Sequence, residues 1–367
     1  MQNKTKQSSV YEVLRAAVLS GRYPPSRPFP SERALAARHH VSRSTVHCAL
    51  ADLEREGLIF RSHGCGTFIT KQGALRQIGL IMPGIAYSEF FQPIATALSA
   101  LCTANDYGLS FMSAFSKDGA ERAAQTLKQA SDLVTQRVRG VIFQPIESLP
   151  EAPRVNKQIL AIFKSAAIPV ILIDSDIVPP PERSSYDVVG VNNFNAGRMM
   201  TVHLIAAGSK RIRFAMMPHP CYSIRDRFAG MQSVLAAHGE TPSPAAEIDP
   251  CSEKDVRRLL RLEHPDAILC CCDTFAAYLK QTLESLRKKV PDQILLAGFD
   301  DVQHASLITP SLTTMRQPCQ AIAETAFRAL MERIAKPDMP PREILLQTRL
   351  TVRDSTRRHY EKDSLKK

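Results

Sequence analysis

Two short segments near the N-terminus constrain the fold more than any other part of the chain: FPSERALA at residues 29–36 and VSRSTV at residues 41–46. They predict two helices around a tight turn, the second beginning after Ser42, a residue type that favours the N-cap position. The first turn of this second helix carries Arg43, Ser44 and Thr45. Backbone N–H groups, a guanidinium and two hydroxyls at one helix end suit contacts with phosphates and base edges, which predicts a helix that reads DNA.

The flanking residues predict the rest of a small domain. Helical spacing of apolar residues from 10 to 18, after Ser8 and Ser9, predicts a first helix, and the spacing from 46 to 53 gives the third helix its buried face. Apolar runs at residues 58–60 and 67–69 predict two strands that turn at a glycine-rich tip, a wing. Because no helix follows these glycines, they do not form a nucleotide-binding loop.

This whole segment resembles the GntR-type winged helix–turn–helix in fixed register over about seventy residues. The matching positions are Tyr11, Leu14, Gly21, 29–36, 41–46, Ala49, Leu50, Leu53, 56–59 and 64–69. The resemblance implies that the following residues face the operator: Arg33, Ser42, Arg43, Ser44, Thr45, His47, His63 and Gly64. His47 stands where an arginine is more usual, and Cys65 lies at the wing tip. A solvated helix face is the competing interpretation of Arg33 and Arg43, and it is weaker at the start of a capped helix.

Positive charge is concentrated at the two ends of the chain. The sequence carries 47 Lys and Arg against 36 Asp and Glu, a net charge of +11. Residues 1–72 hold eleven basic against five acidic side chains, and residues 357–367 hold five against two. A basic head on a nearly neutral body is typical of a nucleic-acid-binding protein with a second role. The tail is predicted to be a disordered end, with weak phosphate contact as the alternative.

The apolar segments and the cysteines indicate a cytoplasmic protein. No apolar run approaches the ~18 residues of a membrane span, and residues 1–7 lack the hydrophobic core of a signal peptide. The nine cysteines are odd in number and scattered, which fits reduced thiols. The cluster Cys270-Cys271-Cys272 lies on a predicted strand, where alternating side chains cannot close one tetrahedral metal site. Most of the nine are predicted to be buried small hydrophobes, and redox or metal sensing stays open for Cys271 and Cys272.

From residue 78 onward, short apolar strands alternate with amphipathic helices. The predicted strands are 78–82, 109–112, 141–143, 170–173, 188–191, 212–216, 267–270 and 295–299, with helices at about 90–105 and 119–136. This pattern implies parallel sheets covered on both faces, with ligands bound at the carboxyl ends of the strands. Neither a Walker A lysine motif nor G-x-G-x-x-G occurs, so no cofactor is predicted.

Residues 77–356 resemble the LacI/GalR-type regulatory domain, which shares the fold of periplasmic sugar-binding proteins. The ordered positions that carry the resemblance are 78–81, Phe90, Phe91, 168–174, 189–193, Ala196, Gly197, 203–205, Gly208, 227–230, 265–268, Cys272, Asp273, 298–301 and 310–317. A GntR-type head on such a body is the arrangement of the arabinose repressor group, which the chain resembles overall.

The resemblance implies an α/β architecture with a small winged helix–turn–helix in residues 1–72, a two-lobed, periplasmic-binding-protein-like type I body in 77–356 and a tail in 357–367. The chain would cross three times between the lobes. One lobe would hold 77–175 with a return near 305–330, and the other 180–300 with a final strand near 344–350. The family's ligand positions, carried over one by one, are Glu89, Phe90, Asp174, Arg227, Asp300 and Gln317.

These side chains suit a polyhydroxylated ligand, because carboxylates accept from hydroxyl groups, a guanidinium donates to oxygens and an aromatic face covers C–H surface. Competing interpretations stay open: Asp300 and Asp301 can serve as loop caps, and Asp176 or Asp273 would replace a neighbour in a shifted register. His203, on an amphipathic helix, is predicted to be packed rather than a ligand.

Taken together, the two resemblances predict a homodimeric transcriptional regulator, with repression the commoner outcome in both families. It would bind double-stranded operator DNA under the control of a small molecule, a sugar by preference, bound between the lobes. A non-sugar ligand, or a body that serves only for dimerisation, stays open. An enzyme is not predicted, since the body is too short for an aminotransferase-like domain and lacks a lysine in a pyridoxal-phosphate context. The head and the missing signal peptide argue against an extracytoplasmic binding protein.

Overall fold

The computed structural model describes residues 6–19, 21–24, 27–62, 66–70, 76–85, 89–114, 116, 118–241 and 243–357. Within them, three helices and a hairpin precede a body that is built on two six-stranded sheets. The predicted α/β class with parallel sheets is confirmed. No helix in these ranges is both long enough and apolar enough to cross a membrane.

The N-terminal unit contains α1 (Lys6–Leu19), α2 (Glu32–His39), α3 (Arg43–Arg55), β1 (Ile59–Ser62) and β2 (Gly66–Ile69). The apolar faces of the helices meet in one core, and β1 pairs antiparallel with β2 as the wing pattern predicts. The prediction that the first helix begins after Ser8 and Ser9 is wrong. The helix begins at Lys6 and runs through both serines, because serine costs a helix at most about 0.7 kcal/mol relative to alanine.

The elements of the body follow in chain order: β3 (Arg76–Ile81), α4 (Phe91–Ala104), β4 (Tyr107–Met112), α5 (Gly119–Gln136), β5 (Val141–Phe143), α6 (Ala152–Ser165), β6 (Val170–Ile173), β7 (Asp187–Val191), α7 (Asn193–Ala206), β8 (Ile212–Met216), α8 (Tyr222–Ala237), β9 (Ala246–Glu247), α9 (Glu253–Glu263), β10 (Ala267–Cys270), α10 (Asp273–Ser285), β11 (Leu295–Asp300), α11 (Gln303–Leu307), β12 (Thr313–Arg316), α12 (Cys319–Ala335), β13 (Glu343–Leu346), β14 (Arg349–Thr351) and a 3-10 turn (Asp354–Thr356).

The two sheets define two lobes. Lobe 1 has the strand order β13-β7-β6-β5-β3-β4, all parallel, with α4 and α12 on one face and α5 and α6 on the other. Lobe 2 has the order β14-β12-β11-β10-β8-β9, parallel except for β14. In lobe 2, His203 is half-buried with its Nε2 2.9 Å from Thr356 Oγ1, which agrees with a packed role.

The chain passes between the lobes three times: after β7, between β12 and α12, and between β13 and β14. The number agrees with the prediction, but the predicted partition of strands is wrong. β7 pairs with β6 and β13 with β7, which places residues 187–191 and 343–346 in lobe 1, while β12 pairs with β11 in lobe 2. Apolar periodicity identifies a buried strand but does not say which sheet contains it, since both sheets bury their strands on both faces.

Candidate functional site

The exposed end of α3 is organised by its N-cap. Ser42 Oγ accepts a hydrogen bond from the Thr45 N–H at 3.1 Å and lies 2.8 Å from both Ser44 Oγ and Thr45 Oγ1. Ser42, Arg43 and Ser44 are exposed, and Thr45 is half-buried. The N-terminal N–H groups of a helix and its positive dipole end favour an approaching anion. This surface is therefore suited to phosphate and base-edge contacts.

Arg33 and His47 lie on the two helices that form this surface. Arg33 is exposed in the first turn of α2. His47 Nδ1 lies 2.9 Å from Glu32 Oε1, and Arg61 donates from its guanidinium to His47 O at 3.3 Å. His47 is thus held between an acidic and a basic neighbour, and Arg61 on β1 is an addition that sequence reasoning missed. The two predicted DNA contacts outside the described residues are His63 and Gly64.

A cavity of about 320 Å³ lies between the lobes, at the carboxyl ends of strands from both sheets. Lobe 1 and lobe 2 each contribute part of its lining, and four of the six predicted ligand residues are in it: Phe90, Asp174, Arg227 and Asp300. The volume is at the small end of the range for ligand pockets. The cavity therefore fits a small molecule that touches both lobes at once.

Arg227 on α8 is fixed by contacts on several sides. The residue is 4% exposed, its Nε donates to Asn193 Oδ1 at 2.8 Å and its Nη1 donates to Cys271 O at 2.7 Å. Its Nη2 lies 3.4 Å from Asp300 Oδ1, and its guanidinium carbon lies 4.6 Å from the centroid of the Phe299 ring. Burial opposes the charge, but the neighbouring carboxylates raise the pKa of Arg227 above its ordinary value. The guanidinium is therefore a permanent cation in the cavity wall.

Asp300 links Arg227 to a further predicted residue. It ends β11 with a φ of 108° and accepts a hydrogen bond from Gln317 Nε2 at 2.6 Å. Burial raises the pKa of Asp300, while Arg227 and Gln317 oppose that rise. Gln317 is outside the cavity lining, and its buried Oε1 has no hydrogen-bond partner among the described residues. Gln317 is therefore connected to the cavity through Asp300.

A second group of polar side chains faces the cavity near lobe 1. Asp174 follows β6 with a φ of 71° and accepts a hydrogen bond from Ser223 Oγ at 3.1 Å. Glu147, Asp174 and Cys221 each place one ligand atom within 4.8 Å of the others, and we name these three residues the acid–thiol cluster. Burial raises the pKa of Glu147 to about 8, and the charge of Asp174 adds to the rise. Sequence reasoning missed Glu147 and Cys221, although Glu147 lies four residues beyond the carboxyl end of β5, where ligands bind in parallel sheets.

Glu89 lies outside the cavity lining. Its Oε1 is 2.7 Å from Nδ1 of His304 on α11, so this pair bridges lobe 1 and lobe 2. The two shifted-register alternatives also lie elsewhere: Asp176 accepts from two backbone N–H groups of its own loop, and Asp273 accepts from Thr314 Oγ1 at 2.8 and 3.0 Å. Both carboxylates thus support local structure.

The consecutive cysteines do not form a ligand set. Cys270 and Cys271 are buried, and Cys272 is the half-buried N-cap of α10 at the cavity wall. In the described ranges, the group close enough to hold a metal ion is the acid–thiol cluster. The prediction that most cysteines are buried is wrong for the described residues. Three of the eight cysteines in these ranges are buried, and Cys48 and Cys251 are exposed. Cys48 lies off the buried face of α3, which is formed by Val46, Ala49, Leu50 and Leu53, so its position on the helix overrides the tendency of free cysteine to be buried.

Two glycines fix the position of α8 and with it Arg227. A Cβ on Gly197 of α7 would lie 2.0 Å from Arg227 O, and a Cβ on Gly230 of α8 would lie 2.0 Å from Phe194 O. Only glycine leaves room for such a close approach of two backbones. The crossing of α7 and α8 therefore sets where the guanidinium enters the cavity.

Sequence comparisons match both parts of the chain. The gntR family of bacterial regulatory proteins matches residues 6–69, and the periplasmic binding protein-like domain family matches residues 201–356. An arabinose metabolism transcriptional repressor of Geobacillus stearothermophilus is 24% identical over 376 residues, which cover 97% of this chain and 100% of the relative. The chain is a transcriptional regulator with a GntR-family DNA-binding head and a periplasmic-binding-protein-like body.

Solved structures show the same fold as this regulator. A transcriptional regulator CelR in complex with cellobiose has a TM-score of 0.64 and 19% identity, covering 89% of this chain and 100% of its own. A LacI family transcriptional regulator from Enterococcus faecium with bound ribose has a TM-score of 0.62 and 20% identity, covering 76% and 98%. The regulator therefore has the two-lobed fold of LacI-family regulators.

Proposed function

We propose that this regulator is a repressor that binds operator DNA as a homodimer and is released when a carbohydrate occupies the interlobe cavity. The observation that carries the proposal is the convergence of Phe90, Asp174, Arg227 and Asp300 on one cavity between the lobes. Left-handed backbone at Asp174 and Asp300 supports it, because strained conformations of this kind cluster at ligand sites.

The chemistry of the cavity favours a ligand with several hydroxyl groups. Asp174 and Asp300 accept from hydroxyls, Arg227 donates to ligand oxygens, and Phe90 offers an aromatic face. The relatives support the same class, since the Geobacillus protein is named for arabinose metabolism and the structural neighbours contain cellobiose and ribose. A site of buried polar groups also rejects analogues that lack a matching hydroxyl.

The DNA-binding role falls to the N-terminal unit. In this proposal, residues 1–72 are the DNA-binding domain, 77–356 the ligand-binding and dimerisation domain, and 357–367 a basic tail. The operator contacts are Arg33, Ser42, Arg43, Ser44, Thr45, His47, His63 and Gly64. A dimer presents two heads, so the operator has two half-sites related by two-fold symmetry.

The ligand acts by changing the relation of the two lobes. Glu89 and His304 already bridge them at 2.7 Å, and the cavity draws its wall from both. A ligand that prefers one arrangement of the lobes shifts the equilibrium by its difference in affinity. Couplings of this kind are typically about 1–3 kcal/mol, or roughly 5–150-fold in operator affinity.

The test combines a thermal-shift screen with an operator-binding assay. The full chain is screened against pentoses, hexoses, sugar acids, polyols and nucleosides, because a ligand of the folded state raises its stability by mass action. An operator selected in vitro from random duplexes then reports DNA affinity by fluorescence anisotropy. We expect a hit to weaken operator binding, and Asp300→Ala to lose that response while it retains DNA binding. An unchanged response in both Asp300→Ala and Arg227→Ala would reject the site.

A further inference from the structure

Three carboxyl groups face the interlobe cavity, and their charges are compensated unevenly. Asp300 lies 3.4 Å from Arg227, whose other guanidinium nitrogens bond to lobe 2. The second guanidinium in the lining, that of Arg122, donates to Ser116 O at 3.5 Å. Glu147 and Asp174 have no ion pair within 4.0 Å among the described residues. Arg227 lowers the pKa of both acids through its charge, but it forms its ion pair with Asp300, so the acid–thiol cluster is the part of the cavity without a directly paired cation among the described residues.

The hydrogen bonds of the cluster are also incomplete. Glu147 Oε1 is shielded from solvent and has no hydrogen-bond partner in the described part of the chain. Asp174 accepts from the neutral hydroxyl of Ser223 at 3.1 Å. Burial and the charge of Asp174 raise the pKa of Glu147 to about 8, and burial raises that of Asp174, which favours one proton between the two acids at neutral pH. A shared proton leaves the second carboxyl group still in need of donors.

We propose that the effector carries a protonated amine that binds between Glu147 and Asp174, which makes amino sugars and amino polyols its chemical class. An ammonium group brings three donors and one positive charge in a compact volume, whereas a hydroxyl brings one donor and no charge. Its charge-assisted hydrogen bonds would satisfy Glu147 Oε1 and replace the shared proton. This inference rests on the proposed function, because it specifies the ligand of the same cavity.

The volume of the cavity and the Asp300–Arg227 ion pair define the rest of the ligand. At about 320 Å³ the cavity favours one sugar-sized molecule. With the amine at the acid–thiol cluster, hydroxyl groups on the opposite side of the ligand meet Asp300 and Arg227 from lobe 2. The ligand would therefore be cationic at lobe 1 and neutral at lobe 2.

Isothermal titration of the full chain with matched series tests the inference. Each series contains an amino sugar, its parent hexose and its N-acetyl derivative, in the gluco, galacto and manno configurations. The N-acetyl form keeps the nitrogen but loses the charge. We expect one amino sugar to bind on the order of tenfold more tightly than its parent and its N-acetyl form. Glu147→Gln should abolish that preference, and Glu182→Gln, an exposed glutamate outside the cavity, should retain it.

Proton release gives an independent readout. Burial raises the pKa of Glu147 to about 8, so we expect the amine to displace a proton from the Glu147–Asp174 pair, and the binding enthalpy to vary with the ionisation enthalpy of the buffer. A parent hexose that binds as tightly as the amino sugar, or a preference that survives Glu147→Gln, would overturn the inference and leave the proposed function standing. Stoichiometric Zn²⁺ binding that requires both Glu147 and Cys221 would overturn it in favour of a metal. The absence of detectable binding in every series and in the wider sugar screen would overturn both proposals.

Discussion

Arg227→Met should destabilise the body strongly, because it leaves a buried acid without its cation. The change removes the ion pair with Asp300 and leaves Asn193 Oδ1 and Cys271 O without their donor. Breaking a buried pair by removing one partner costs about 3–5 kcal/mol. At about 2 °C per kcal/mol for a body of this size, the unfolding temperature of the full chain should fall by about 6–10 °C.

Arg225→Met is the matched control for this prediction. Arg225 lies two residues earlier on α8, is exposed and contacts the Tyr222 ring at 5.7 Å, so its loss should change the free energy of unfolding by at most about 0.5 kcal/mol. Adding Asp300→Asn to Arg227→Met should restore part of the stability, since no buried charge remains. The cost of Arg227→Met should also be smaller at low pH, where Asp300 is protonated. Calorimetry that finds the Arg225 and Arg227 variants equal, or the double variant strictly additive, would refute the reasoning.

Three further predictions concern proton binding, DNA contact and helix packing. The pKa of Glu147 is about 8 in the folded protein and 4.5 ordinarily. Protonated Glu147 therefore contributes its full stability below about pH 4.5, and this contribution is lost as the pH rises through about 8. The unfolding temperature of Glu147→Gln relative to the unaltered chain should therefore increase with pH, and a constant difference from about pH 5 to about pH 9 would contradict this. If Arg43 reads a base, Arg43→Ala should weaken operator binding by about 1–3 kcal/mol. If Arg43 contacts a phosphate, the slope of log binding constant against log salt concentration should decrease in magnitude by about 1. Unchanged affinity and an unchanged slope would exclude both contacts. Gly230→Ala should cost about 3 kcal/mol, the upper end of overpacking costs, because its Cβ would lie 2.0 Å from Phe194 O, and an unchanged unfolding temperature would show that α7 and α8 can separate freely.

The elements that the sequence predicted well are those with local signals. The helix at 119–136 follows Asp118, whose side chain caps it, and α3 follows Ser42 for the same reason. The partition of strands between the lobes failed, because pairing of β7 with β6 and of β13 with β7 depends on contacts far apart in sequence. A local pattern contains no information about such partners.

The residues of the candidate site also divide into those with a local sequence signal and those that only the fold brings together. Asp174 and Asp300 follow strands, a position that parallel-sheet topology marks for ligands, and both line the cavity. Glu147 also follows a strand, but no sequence motif marks it. It can be recognised as a site residue only once the fold places Asp174 and Cys221 beside it. Glu89 shows the reverse case: the family resemblance implies a ligand position there, whereas the structure places Glu89 outside the cavity lining and beside His304.

The three crossings of the chain between the lobes have a mechanical consequence. Asn193 stands just beyond the first crossing and bonds to Arg227, while Gln317 stands at the second and bonds to Asp300. In the proposed mechanism, a ligand that engages Arg227 and Asp300 would therefore act beside the segments that connect the two lobes. A small rotation at these connections would become a larger displacement at the far ends of the lobes, so leverage would let one sugar-sized molecule reposition an entire lobe.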